Sequence, residues 1–299
     1  MCSSDLGGVC DPEALERAVT QAAADGRTIR AVIATLPDNP TGRLASPAAV
    51  RELCAVAERH DLIIISDEIY QDLVFDDVTA PASAAFPGPA SICPERTVVT
   101  TGLSKNLALG GWRLGVARLP DGWLGRELRT RLLGIGSEIW SAPAGPVQQA
   151  AALAFTEPSA LVERIALSRR LHARVARAVA DRFTAAGASV PAPQAAFYLY
   201  PDFTPMAGVL LQRHDITDDE SLAAVLLHRY GVGVLPGCAF GDQSWRLRLR
   251  VATAMLYGDT NTERLAALNS GDPCSLPWIA ASLARLDEVL ADLTGPVRG

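Results

Sequence analysis

Only one side chain in this sequence can form an imine with a carbonyl compound, and it is Lys105. Of the 27 Lys and Arg residues in the 299-residue chain, Lys105 is the sole lysine, so apart from the N-terminus it is the only primary amine. A free lysine, with a pKa of about 10.4, is mostly protonated at neutral pH and nucleophilically weak. Burial and a neighbouring cation lower that value and release the amine for reaction. Arginine cannot stand in, because its guanidinium stays protonated. Lys105 follows Ser104 and lies eight residues before Arg113 in Gly111-Trp112-Arg113-Leu114-Gly115, and arginine is a planar bidentate donor suited to phosphate or carboxylate. Asp67 stands two residues past Ile63-Ile64-Ile65, in Asp67-Glu68-Ile69-Tyr70. A carboxylate at the rim of a buried sheet requires a cationic or hydrogen-bonding partner. Asn39 opens a fourth short pattern, Asn39-Pro40-Thr41-Gly42.

Each pattern falls in a loop or at the end of an expected strand. Asp11 as N-cap, Pro12 in the first turn and Leu15, Ala18, Val19 and Ala22 on one face predict a helix ending at Gly26. Ala31 to Leu36 then read as a strand, and a second helix begins at Ser46-Pro47. Leu62 to Ile65 is a continuous apolar run, expected to be buried on both faces of a parallel sheet. Thr97 to Thr101 and Leu114 to Leu119 supply further strands. The alternation predicts an α/β domain with a mainly parallel sheet and helices on both faces, where ligands gather at the carboxyl ends of strands.

Beyond Ala144 the character becomes helical, with a long helix from Pro158 to Ala186 stopped by Gly187. Short strands near Phe197 to Tyr200, at Val232 to Leu235 and from Trp245 to Val251 follow, with helices near Ser221 to Arg229 and Leu276 to Leu293. This pattern predicts a smaller α+β domain. The expected division is 1–165 for the large domain and 166–299 for the small one. Residues 1–6 (Met1-Cys2-Ser3-Ser4-Asp5-Leu6) can be encoded by the end of a common sequencing adapter and are expected to be foreign to the natural chain. Trp245 to Val251 alternates, placing Arg246, Arg248 and Arg250 on one face.

The net charge of −6 offers no basic footprint for nucleic acid. No apolar run is long enough to cross a bilayer, and the first residues lack a signal-peptide pattern. A cytoplasmic protein is the expectation. Six cysteines without a C-x-x-C pair and four dispersed histidines give no metal-site spacing.

Asn39, Asp67, Tyr70, Lys105 and Arg113, in this order and spacing, resemble the class I/II aminotransferases of fold type I, from the helix at Asp11 onward. The resemblance implies pyridoxal 5'-phosphate as cofactor, held by Lys105 in Schiff-base linkage, with Lys105 also shuttling the substrate's proton. It implies that Asp67 pairs with the pyridine nitrogen, that Asn39 and Tyr70 bond the phenolic oxygen, and that Arg113 binds the phosphate. It also implies an arginine that clamps the substrate's carboxylate, which alignment of Arg248-Leu249-Arg250-Val251-Ala252 assigns to Arg248. Arg246 and Arg250 are then expected to be solvated or salt-bridged. The Asn39-Pro40 bond is expected to be cis, as in family members. Amino acids and 2-oxo acids are the implied substrates, and the full-length form is expected to be a homodimer. Two departures stand out. Gly102 replaces the family's usual serine three residues before the lysine, and the upstream part that carries a glycine-rich phosphate turn and a ring-stacking aromatic is not visible here. A lyase or synthase on the same scaffold, and the effector domain of a transcriptional regulator, share the same residues.

Overall fold

The computed structural model describes residues 7–77 and 88–295. The suspected foreign residues 1–6 lie outside that range. The chain divides into two compact units, one of residues 7–38 and 44–166 and the other of 39–43 and 167–295 among those described.

In the first unit, helix α1 (Pro12–Ala24) starts where Asp11 accepts a hydrogen bond from the Glu13 amide, and α2 (Pro47–Arg59) where Ser46 accepts one from Ala49. Strands β1 (Ala31–Thr35), β2 (Ile63–Asp67) and β3 (Thr97–Gly102) run parallel in that order, and β4 (Gly115–Arg118) joins β3 antiparallel. The expected α/β architecture with a mainly parallel sheet is therefore present. One sheet face packs on the helices: Val32, Ala34 and Ile64 join Leu15, Val50, Leu53 and Ala57 in a single buried cluster. The other face differs from expectation. Ile63 and Ile65 are only half-buried and Ile33 is exposed, so β2 alternates instead of being covered on both sides. Helices α3 (Trp123–Ile139), α4 (Gly145–Ala154) and the start of α5 (Ser159–Ala185) complete this unit.

The second unit contains the rest of α5 and a small antiparallel sheet of β5 (Tyr198–Leu199), β6 (Leu235–Pro236) and β7 (Leu249–Ala252), with β7 central. Helices α6 (Ala207–His214), α7 (Asp219–Tyr230), α8 (Asn261–Asn269) and α9 (Pro277–Thr294) surround it in sequence. The start of α7 is a capping box in which Asp218 and Ser221 satisfy one another's amides. Gly187 follows α5 at φ 95°, a conformation that strains other residues, and a Cβ there would lie 2.9 Å from the Met206 sulfur. The strand expected from Trp245 begins only at Leu249. Trp245 is exposed, whereas the in-out alternation holds from buried Leu247 onward.

The proline geometry also differs from expectation. The cis bond is Leu36–Pro37 and the Asn39–Pro40 bond is trans. Either X-Pro bond tolerates cis at small cost, so the local sequence does not select between two prolines three residues apart.

His172, on α5, is buried with its Nδ1 2.7 Å from the Tyr257 hydroxyl. Burial lowers its pKa from 6.5 to about 4, so the folded state keeps the ring neutral while the unfolded chain takes up a proton. The associated stability is complete above pH 6.5 and is lost as pH falls toward 4, amounting to about 3 kcal/mol. Urea unfolding at several pH values should show this slope in the parent and much less of it in His172→Gln. An unchanged slope in the variant would assign it to other groups.

Candidate active site

The carboxyl ends of β2 and β3 lie side by side, with Asp67 in register with Thr100. This pairing places two of the sequence patterns at one end of the sheet. Asp67 is half-buried, and its Oδ1 accepts from the Ile69 amide at 3.3 Å and the Thr100 hydroxyl at 3.4 Å. Among the described residues no cationic side chain forms an ion pair with it. Glu68 is buried beside it and accepts from the Ser66 hydroxyl at 2.8 Å. Burial pushes the Glu68 carboxyl above its ordinary range, against the pull of Ser66 and Arg118.

Lys105 follows β3 in a short loop closed by the Leu109 amide on the Leu103 carbonyl. Its Nζ lies 5.9 Å from the centre of the Tyr70 ring, which is itself buried. Asn106 ties this loop to the turn after Tyr70 by donating to Asp72 at 2.7 Å. No carboxylate pairs with Lys105 among the described residues. Neither Asp72 nor Asn106 belongs to a pattern that sequence reasoning singled out, and no periodicity would have linked residues 34 positions apart. Gly102, where the family has serine, is explained locally: a Cβ there would sit 2.8 Å from the Leu114 carbonyl oxygen of the adjacent strand connection.

Arg113 is placed differently. It is exposed, at φ 51°, and its guanidinium donates to the Gly110 carbonyl of its own turn at 2.8 Å. Among the described residues no contact joins it to Asp67, Tyr70 or Lys105. The left-handed backbone costs a non-glycine residue about 1 kcal/mol.

Asn39, Arg248 and Arg250 belong to the second unit. Arg248 donates through Nε to Asp202 at 3.0 Å and through Nη1 to Asp242 at 3.3 Å. Arg250 was expected to be solvated or salt-bridged. Its Nη1 instead donates to the Asn39 side-chain oxygen at 3.0 Å, and its guanidinium carbon lies 4.9 Å from the ring centres of both Tyr198 and Phe240. No carboxylate pairs with Arg250 among the described residues. A guanidinium stacked on two rings and lacking a counter-charge is suited to an anion. Strand alternation put both arginines on one face but could not show which one met acidic partners.

The arrangement at the sheet end fits pyridoxal phosphate. A carboxylate lacking a cation and an amine lacking an anion flank a buried tyrosine, as a protonated ring nitrogen and an aldehyde would need. Among the described residues no group of three or more His, Cys, Asp or Glu side chains could hold a metal ion.

Comparison with known proteins agrees with this chemistry. Residues 1–267 match the family model for aminotransferase class I and II. The aspartate/prephenate aminotransferase of Cereibacter sphaeroides is 37% identical over 256 residues, covering 84% of this chain and 59% of the relative. The aspartate aminotransferase of Geobacillus stearothermophilus is 32% identical over 260 residues, covering 85% of this chain and 59% of that protein. Among solved structures, aspartate aminotransferase from Thermus thermophilus with maleate superposes with a TM-score of 0.70 at 25% identity, over 94% of this chain and 60% of that one. N-succinyldiaminopimelate aminotransferase from Mycobacterium tuberculosis gives 0.67 at 28% identity, over 94% and 62%. The chain thus spans about three-fifths of the length of these relatives. With a family match across most of its residues, the chain belongs to the class I and II aminotransferases.

Proposed function

We propose that the full-length protein transfers an amino group between an amino acid and a 2-oxo acid with pyridoxal 5'-phosphate as cofactor. The observation that carries this reading is the unpaired Lys105 amine beside Tyr70, at the sheet end that also carries unpaired Asp67. When bound, the cofactor supplies an electron-withdrawing ring that acidifies the substrate's Cα–H bond. Lys105 attaches the cofactor and then moves the proton to and from Cα as a general base and acid. Asp67 holds the proton on the ring nitrogen, since a carboxylate stabilises the cationic form of its partner. The Tyr70 hydroxyl and the Asn39 amide bond the ring's phenolic oxygen, and Arg113 releases the Gly110 carbonyl to bind the phosphate.

For the substrate's carboxylate we favour Arg250 over Arg248. Arg248 already faces two carboxylates, so its surroundings carry a net negative charge, whereas Arg250 keeps a full uncompensated charge next to Asn39. The reading extends to a cytoplasmic homodimer. Among the described residues no helix is long and apolar enough to cross a membrane, and the exposed Leu133, Ile139 and Trp140 of the α3 region offer a surface for a second copy.

The test is a pair of half-reactions on the full-length, cofactor-loaded protein. An amino acid should bleach the cofactor's visible absorbance and appear as its 2-oxo acid, and a second 2-oxo acid should restore the absorbance. Release of ammonia or carbon dioxide with no stored amino group would instead indicate a lyase.

A further inference from the structure

The two arginines of β7 have distinct surroundings, and the segment between β6 and β7 joins them. Arg248, Asp202 and Asp242 are largely buried, with side chains 14%, 22% and 15% exposed. The Tyr200 hydroxyl donates to the same Asp242 oxygen that Arg248 reaches, at 2.9 Å. Asp242 ends the tight turn Gly237–Phe240, which begins where the Gly237 amide donates to the Arg248 carbonyl at 2.8 Å. Arg248 therefore holds this turn at both ends, by main chain at Gly237 and by side chain at Asp242. Phe240 lies between these anchors. Its ring meets Tyr200 edge-on at 6.4 Å and stacks on Arg250 at 4.9 Å. Packing at the turn is close, because a Cβ on Gly237 would lie 2.8 Å from the Tyr200 hydroxyl and 3.1 Å from the Arg248 Cβ.

We infer that Arg248 is a positioning residue: with Asp202, Asp242 and Tyr200 it fixes the Phe240 ring against Arg250 and so sets how tightly Arg250 holds a carboxylate. The inference rests on the reading of Arg250 as the carboxylate site. Its physical basis is that a buried ion-pair network with satisfied partners orders a turn, while a guanidinium confined by rings is pre-organised for an anion. Two carboxylates against one guanidinium leave Arg248 with no charge to offer a substrate. Arg250 has that charge but depends on its neighbours for direction.

The experiment titrates benzoate, with benzamide as its uncharged counterpart, into the cofactor-free full-length protein by calorimetry. The parent should prefer benzoate, and Arg250→Met should abolish the preference. Tyr200→Phe and Phe240→Leu should each weaken benzoate about threefold to tenfold, the effect expected of one cation–π contact, and still prefer it to benzamide. Phe240→Tyr should restore the parent's affinity. The double variant Tyr200→Phe/Phe240→Leu should be no weaker than either single one, because both act through one ring. Arg248→Met leaves two buried carboxylates unpaired and can unfold, so the Tyr200 and Phe240 variants carry the test. If the parent shows no benzoate preference, or Arg250→Met keeps it, the Arg250 reading fails. If Arg250→Met loses the preference while Tyr200→Phe and Phe240→Leu bind like the parent, or their effects add, the positioning role alone is overturned. A folded Arg248→Met that loses the preference as completely as Arg250→Met would make Arg248 the contact residue.

Discussion

Lys105→Ala should lower turnover of the full-length enzyme by roughly a thousandfold or more, since it removes both the covalent attachment point and the proton carrier. Lys105→Arg should be equally inactive. It keeps the positive charge, but a guanidinium that stays protonated can neither attack an aldehyde nor accept the substrate's proton. The pair therefore separates nucleophile from electrostatic partner. Stability should hardly change in either variant, by at most about 0.5 kcal/mol, because Lys105 is half-buried and forms no ion pair among the described residues. Steady-state kinetics with matched thermal melts would check both statements. An arginine variant keeping a tenth of the parent's turnover would contradict the assigned role.

Phe203→Ala should destabilise the second unit by about 3–5 kcal/mol, the usual cost of truncating a fully buried phenylalanine. The side chain is 0% exposed and meets Phe183 edge-on at 5.8 Å. Its amide donates to the Leu247 carbonyl at 2.9 Å, which anchors the approach to β7. A cavity at that position has little freedom to collapse, because the backbone on each side is held by hydrogen bonds between Ser189 and Asp202 and from Thr204 to the Asp202 side chain. Urea unfolding followed by tryptophan fluorescence gives the value directly. A shift below about 1 kcal/mol would mean that the packing around Phe203 is far looser than its burial indicates.

Much of the first unit could be read from local signals. Asp11, Ser46 and their prolines marked two helix starts, and the apolar runs marked three parallel strands, because these features act within a few residues. Lys105 stood out by composition, and Asp67 by its position after an apolar run. Helix α3 was not legible. Gly125, Gly134 and Gly136 interrupt its pattern, and no side chain caps its start at Gly122. The arginines of β7 show a different limit. Their shared face follows from strand periodicity, but their roles depend on Asp202, Asp242 and Asn39, which are 46, 6 and 211 residues away from the arginines they meet. Sequence alignment selected Arg248 through the spacing of its neighbours, and such spacing carries no information about where two aspartates fold back. The trans Asn39–Pro40 bond likewise reflects context beyond the dipeptide.

The central claim is that Lys105 carries the cofactor. Borohydride reduction of the full-length protein with pyridoxal phosphate, followed by peptide mapping, tests it most directly. The reduced cofactor should be recovered on one peptide, the one containing Gly102-Leu103-Ser104-Lys105, and on none in Lys105→Ala. Recovery on a different amine, or no covalent label in a protein that nonetheless transfers amino groups, would contradict the account.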